Sequence, residues 1–225
     1  MAGKINIAID GPAASGKSTT ARLLAKRLGY IYIDTGAMYR AATLYLLRHA
    51  IDINDEPAVS VCVEQHPIRI FFKEGEQRTF VDEEDVTELL RDPQINRVIS
   101  VVSSYPVVRK VMVREQRKLA EHKGVVMDGR DIGTVVLPDA ELKVFMVASL
   151  DQRAQRRLKE LQSRGLSVSI DEIKEEIAQR DRLDSKREQS PLLKAEDARE
   201  LDTSGLTVEE QVTIIYNWAL EIISK

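Results

Sequence analysis

The sequence predicts an α/β fold, a parallel β-sheet flanked by helices, broken once by a small antiparallel insertion and once by an arginine-rich helical segment. Three observations carry that expectation. Apolar runs of strand length alternate with stretches of helical periodicity from the N-terminus onward. A glycine-rich turn joins the first strand to the first helix. Between about residues 63 and 100 the α/β rhythm is interrupted by an inserted subdomain that carries a short period-two alternation.

Ile5, Ile7 and Ile9, with Ala8 between, form a β-branched run that stops at Asp10-Gly11, as a buried parallel strand stops in a turn. Ala21, Leu24, Ala25 and Leu28 then recur at i, i+3, i+4, i+7, so a helix follows, and Gly29 ends it. "YIYID" (30–34) is a second strand and "GAMYRAATLYLLRHA" (36–50) a second helix, which implies right-handed crossovers. In "PIRIFFKEGEQRTFVDEEDV", Ile68, Ile70 and Phe72 alternate with Arg69, Phe71 and Lys73, and "KEGE" turns the chain into another extended segment. Helical spacing resumes at Val108, Val111, Met112 and Leu119 and ends near Gly124. "VVMD" (125–128), "LKVFMVA" (142–148) and "RELDTSG" (199–205) bring the core to five strands. Ser149 with Gln152, Ser169 with Glu172 and Thr207 with Glu210 fit the S/T-x-x-E/Q capping box and mark three helix starts. Val208, Val212, Ile215, Ala219 and Ile222 stripe the last helix.

With 225 residues, 43% of them hydrophobic, the chain is long enough for one α/β domain carrying insertions. A formal charge of -3 argues against generic nucleic-acid binding, which needs a basic face. The single cysteine, Cys62, allows no internal disulfide and fits a reducing compartment. The apolar N-terminal run leads straight into the glycine turn, so it reads as a core strand rather than a leader. No segment reaches the roughly 18 apolar residues of a membrane span. The expectation is a cytoplasmic protein without a membrane partner.

Gly11-Pro12-Ala13-Ala14-Ser15-Gly16-Lys17-Ser18, followed by Thr19, matches G-x-x-x-x-G-K-[ST] at every fixed position. The two glycines permit backbone angles that let the loop's N–H groups face a phosphate. The following helix turns its positive end on the same point. In such a P-loop, Lys17 reaches the β- and γ-phosphates of a nucleoside triphosphate and the Ser18 hydroxyl ligates Mg²⁺. A second ligand of the ion, through water, is expected at a strand-end carboxylate. Asp128 and Asp34 both qualify, with the apolar lead-in favouring Asp128. No N-K-x-D follows a later strand, so a GTP switch is not indicated.

Three further clusters fall beyond strand ends, where an acceptor pocket lies in such sheets. They are "DTGAMYR" with Asp34, Thr35, Tyr39 and Arg40; Ser100 with "SSYPVVR" ending in Arg109; and "DGRDIGT" with Asp128, Arg130 and Asp131. Together with the P-loop these motifs resemble the bacterial cytidylate kinase family, from the first strand to "LDTSGLT". The resemblance implies a P-loop core with a nucleoside-monophosphate subdomain and a helical lid. It implies phosphoryl transfer from ATP, with Mg²⁺, to CMP or dCMP by a monomer. It also assigns roles: Arg40, Arg130 and Arg187 to the CMP phosphate, Ser100, Arg109 and Asp131 to the cytosine, Arg180 and Asp184 to the ribose, and Thr35 near the monophosphate. Cytosine offers an N4 amine that a carboxylate accepts, whereas uracil presents an oxygen there.

Taken singly, these residues have plainer readings. Arg130 and Asp131 could be a surface pair, and Arg109, with Lys110, Arg114 and Lys118, part of a solvated helix face. The histidines His49, His66 and His122 receive no role, and Cys62 reads as a small buried apolar residue.

Arg153, Arg156 and Arg157 share one predicted helical face, with Arg164 a heptad on, and Arg180, Asp184 and Arg187 share another. Placed between the fourth and fifth strands, this segment reads as a lid closing over phosphates. Leu183 stands where some relatives carry an arginine, which leaves the arginine at the transferring group open among Arg157, Arg180 and Arg182. The expected division is a core of 1–34, 101–150 and 191–225, a monophosphate-binding subdomain of 35–100, and a lid of 151–190. A kinase for another small acceptor, such as shikimate, and a regulatory ATPase are the competing readings.

Overall fold

The computed structural model describes residues 3–163 and 165–224. In chain order the elements are β1 (Ile7–Asp10), α1 (Lys17–Leu28), β2 (Ile31–Asp34), α2 (Thr35–Arg48), α3 (Glu56–Gln65), β3 (Ile68–Lys73), β4 (Glu76–Val81), β5 (Glu84–Asp85), α4 (Pro93–Val102), α5 (Pro106–Ala120), β6 (Val125–Gly129), β7 (Leu142–Val147), α6 (Leu150–Ser163), α7 (Ile170–Ser185), β8 (Arg199–Asp202) and α8 (Val208–Ile223). A 3₁₀ turn covers Thr87–Arg91 and a π-helical turn Ile132–Val136.

Five strands form one sheet in the order β2-β6-β1-β7-β8, with β6–β1, β1–β7 and β7–β8 all parallel. β3, β4 and β5 form a separate antiparallel sheet. The chain leaves β1 toward β2 and leaves β6 toward β7. The strand order therefore reverses between β1 and β6, and a ligand crevice belongs at their carboxyl ends. The chain divides into two compact units, Met1–Tyr30 with Gly124–Lys225, and Ile31–Lys123.

In the first unit, β1 lies between β6 and β7, and all four of its residues are buried, which is why it reads as an unbroken apolar run. The register sets Ile9 beside Asp128 and Asp10 beside Gly129, so the strand-end carboxylates share one edge. Ile7, Ile9, Leu24, Met127, Leu142 and Met146 are fully buried in this core, each contributing about 1.5–3 kcal/mol. α6 and α7 pack through Ala154, Leu161, Ile173 and Ile177. Ion pairs Arg153–Asp181 and Lys174–Asp151 join the same two helices. The capping boxes at Ser169–Glu172 and Thr207–Glu210 form in full, and the Gln152 N–H donates to Ser149 Oγ.

In the second unit, Ile68 and Ile70 face inward and Arg69 and Phe71 outward, as the alternation predicts. Glu74 (φ 55°) and Gly75 (φ 81°) make the two-residue turn between β3 and β4, and left-handed values at both suit the twist of a hairpin. Strand pairing in the insertion ends at Asp85, and helical structure resumes at Thr87. α3 and α4 have no counterpart among the elements that the sequence periodicity predicts. Both open on an aspartate cap followed by proline within the first turn, Asp55 accepting from the Ala58 N–H and Asp92 from the Gln94 N–H.

Candidate active site

The glycine turn after β1 is shaped by contacts that exclude side chains. Gly11 sits at φ 148°, and a Cβ there would stand 2.1 Å from the Met146 carbonyl oxygen. Gly16, at φ 98°, precedes α1 without a side-chain cap, and the first helical turn holds no acidic residue. Its N–H groups and positive helix end are thereby left to an anion. Lys17 lies along the loop, its Nζ donating to the Pro12 carbonyl (2.6 Å) and Ser15 Oγ (3.3 Å).

Two arginines grip the loop from α6. Arg153 donates to the carbonyls of Ala13 (3.2 Å) and Ala148 (3.1 Å). Arg156 donates to the Ser15 carbonyl (3.0 Å) and to both oxygens of Thr203. In the sequence they stand out only as part of a predicted lid face. Their partners lie 140 and 141 residues away in the chain, beyond the reach of any spacing rule.

Positive charge converges on this loop. Burial pushes the Lys17 amine well below its ordinary pKa, and the neighbouring Arg130 and Arg180 guanidinium groups push it the same way, against the pull of Asp128 and Asp10. Arg130 Nε donates to Asp184 Oδ2 at 2.8 Å, and Arg187 pairs with the other oxygen of that carboxylate. Burial alone would raise the Asp184 carboxyl, but Arg130, Arg187 and Arg180 outweigh it and hold it below the usual range. Arg130 is thus tied to a residue 54 positions on, and Asp131 is buried, so these neighbours are not an exposed surface pair.

Of the lid arginines left open by the sequence, Arg157 pairs with Glu160 (2.8 Å) and Arg182 turns back to its own helix at the Ala178 carbonyl. Arg180 acts on the Lys17 amine, helping to push its pKa down. Arg164 lies outside the described residues. Asp184, assigned to a ribose by resemblance, is already engaged by two guanidinium groups.

Ser18 Oγ donates to Asp128 Oδ2 at 2.8 Å, placing a hydroxyl and a carboxylate together at the start of α1. Asp34 is otherwise committed, accepting from the Ala37 N–H and pairing with Arg40 at 2.6 Å. An all-oxygen pair beside a phosphate loop suits Mg²⁺, which fills its remaining positions with phosphate oxygens and water. No cluster of three or more His, Cys, Asp or Glu side chains able to hold a metal occurs among the described residues.

Asp10 ends β1 deep in the unit. Burial raises its carboxyl to about 7, the Gly133 and Ile132 N–H groups that it accepts oppose the rise, Asp131 adds to it, and Lys17 lowers it. The unfolded chain would lose this proton near 3.8, so between about 4 and about 7 the folded chain holds more protons. The Asp10 contribution to stability therefore falls as pH rises through that window, with a limiting slope of about 1.4 kcal/mol per pH unit. Denaturant unfolding of wild type and Asp10→Asn at pH 5 and pH 8 checks this. The wild type should lose ground to the variant at pH 8, and a difference independent of pH would contradict it.

The second unit carries its own candidate residues. Gly36 makes room for the Asp34–Arg40 pair, since a Cβ would meet Arg40 Nη1 at 3.0 Å and Asp34 Oδ1 at 3.1 Å. Thr35 and Tyr39 are buried on α2. The Arg109 guanidinium sits 5.6 Å from the centre of the Tyr39 ring and donates to the Ser103 carbonyl (3.3 Å), while Ser103 Oγ donates to the Ser100 carbonyl (3.4 Å). Ser100, Arg109 and Tyr39 are thus joined through short links. Arg109 is buried on α5 while Lys110, Arg114 and Lys118 are exposed, so it is not part of a solvated face.

Comparison with known proteins gives a consistent answer. Residues 7–221 match the family model described as cytidylate kinase. A cytidylate kinase of Enterococcus faecalis is 54% identical over 216 residues, covering 96% of this chain and 95% of its own. One of Bacillus anthracis is 51% identical over 224 residues, covering 99% of each chain. Among solved structures, an uncharacterized protein from Eubacterium ventriosum superimposes with a TM-score of 0.54 at 13% identity over 96% of this chain and 98% of its own, which speaks to the fold alone.

Proposed function

This chain belongs to the cytidylate kinase family, and on that premise we propose that it transfers the γ-phosphoryl group of ATP to CMP and dCMP, giving ADP and CDP or dCDP. The observation that carries the reading is the glycine loop with Lys17 buried along it, Ser18 Oγ on Asp128 and an uncapped helix N-terminus turned to an anion.

In phosphoryl transfer the charge spreads over the γ-oxygens, so positioning and electrostatics do most of the work. The loop N–H groups hold the donor phosphates, Lys17 contacts the β- and γ-oxygens, and Arg180 supplies the guanidinium nearest the migrating group. Arg130, fixed by Asp184, orients the acceptor phosphate together with Arg40 and Arg187. Ser18 and Asp128 would hold Mg²⁺, which would supply charge neutralisation at the donor phosphates. The acceptor oxygen belongs to a phosphate largely ionised near neutrality, so no general base is required. Asp131 accepts from the cytosine N4 amine, with Ser100 and Arg109 completing the reading of the base; uracil would leave buried groups unpaired. The proposed enzyme acts as a cytoplasmic monomer, with a core of 1–34, 101–150 and 191–225, an acceptor subdomain of 35–100 and a lid of 151–190.

A steady-state panel of CMP, dCMP, UMP, AMP and shikimate with ATP tests the reading. CMP and dCMP should lead. UMP or AMP outrunning CMP, or ATP turnover indifferent to acceptor, would overturn it. Asp131→Asn should lower CMP efficiency and raise UMP relative to it, and an unchanged ratio would remove Asp131 as the reader.

A further inference from the structure

Asp10 immediately precedes Gly11, yet both of its carboxylate oxygens are used on a distant segment. Oδ1 accepts the Ile132 N–H at 2.8 Å and Oδ2 the Gly133 N–H at 2.7 Å, across 122 and 123 residues of chain. These two amides open the π-helical turn Ile132–Val136. Asp131 occupies the position from which a local side chain caps such a turn, and aspartate is among the best residues for that task. It makes no side-chain cap bond; its backbone sits at φ −145°, ψ 27°, and its carbonyl accepts the Val135 and Val136 N–H groups at 2.9 and 3.1 Å. The cap comes from β1 instead, and it fixes the backbone that directly follows Asp131.

We propose that Asp10 is a specificity-determining positioning residue, which caps the turn after β6 and thereby directs the Asp131 carboxylate at the acceptor base from the strand that also carries the phosphate loop. This inference rests on the proposed reading of Asp131. The joint demands a carboxylate of this length. Asparagine offers one acceptor and turns an NH₂ group on the second N–H, while glutamate is a methylene too long for a packed strand end. The fit at the turn is close as well. A Cβ on Gly133 would stand 3.4 Å from Asp10 Oδ2 and 3.2 Å from Lys143 Cδ. A displacement of about 1 Å in a positioning group costs on the order of 10²-fold in efficiency.

The test compares wild type, Asp10→Asn and Gly133→Ala at pH 8, above the value of about 7 at which the Asp10 carboxyl ionises, with KM and kcat determined for CMP, UMP and ATP and folding checked by thermal melting. Asp10→Asn should raise KM for CMP more than KM for ATP, lower CMP kcat/KM by about 10²-fold and reduce the CMP-to-UMP ratio at least tenfold. Gly133→Ala keeps the carboxylate but crowds the joint, and should shift the ratio in the same direction by a smaller factor. A folded Asp10→Asn with an unchanged ratio, or with equal losses on CMP, UMP and ATP, overturns the inference. If that variant does not fold, Gly133→Ala decides: a lowered ratio supports the inference and an unchanged one overturns it. A wild type without preference for CMP sinks the reading of Asp131 and this inference together, whereas a CMP-preferring wild type with indifferent variants sinks the inference alone.

Discussion

Lys17→Met should abolish phosphoryl transfer, by about 10³-fold or more, while the protein melts at or above the wild-type temperature. Both halves follow from one geometry. The amine is buried, and Arg130 and Arg180 add to the penalty of keeping it charged. A lysine whose folded pKa lies below its unfolded value weakens the fold wherever it is protonated in the unfolded chain, so replacing it with an apolar side chain of similar length removes that burden. What is lost in exchange is the bond to the Pro12 carbonyl, a lesser effect. Activity and stability should therefore move in opposite directions. Circular-dichroism melts beside single-turnover kinetics would show it, and a variant that loses both together would mean that Lys17 is merely structural.

Asp184→Ala should damage both properties. Its buried carboxylate balances Arg130 and Arg187, whose side chains are themselves largely buried, at 18% and 9% exposure. Removing one partner of a buried ion pair leaves uncompensated charge, at a cost of about 3–5 kcal/mol. Because the folded carboxyl lies below its usual pKa, its stabilisation is present above the unfolded value and fades as pH falls through the folded one. Arg130 would at the same time lose its orientation, so CMP should bind more weakly in whatever fraction remains folded. Urea unfolding at neutral pH and a CMP titration of the variant measure the two effects. A loss of under 1 kcal/mol would mean that water already screens the cluster.

Much of this molecule is written locally in the chain. The strand–glycine turn–helix at 7–28, the hairpin around Glu74–Gly75 and the boxes at Ser169–Glu172 and Thr207–Glu210 depend on neighbours a few residues apart, and spacing reveals them. α3 and α4 carried a local signal too, in Asp55 with Pro57 and Asp92-Pro93, although their apolar stripes are short. The unread parts rest on distant partners. Arg156 reaches Ser15, and Thr20 Oγ1 donates to Gln211 Oε1, 191 positions away. His66, given no role from sequence, lies between Tyr45 and Asp82, with Nδ1 at 3.0 and 2.9 Å from their oxygens. Arg109 shows the same limit from the other side. Its helix is striped with cations, and only the packing beneath it decides which of them is buried.

A crystal structure with CMP and a non-hydrolysable ATP analogue would test the central claim most directly, that the charge gathered around Lys17 exists to bring two anionic groups together. The donor γ-phosphate should contact the Lys17 amine and the CMP phosphate the Arg130 guanidinium. CMP bound with its phosphate away from Arg130, or donor phosphates held without Lys17, would contradict the account.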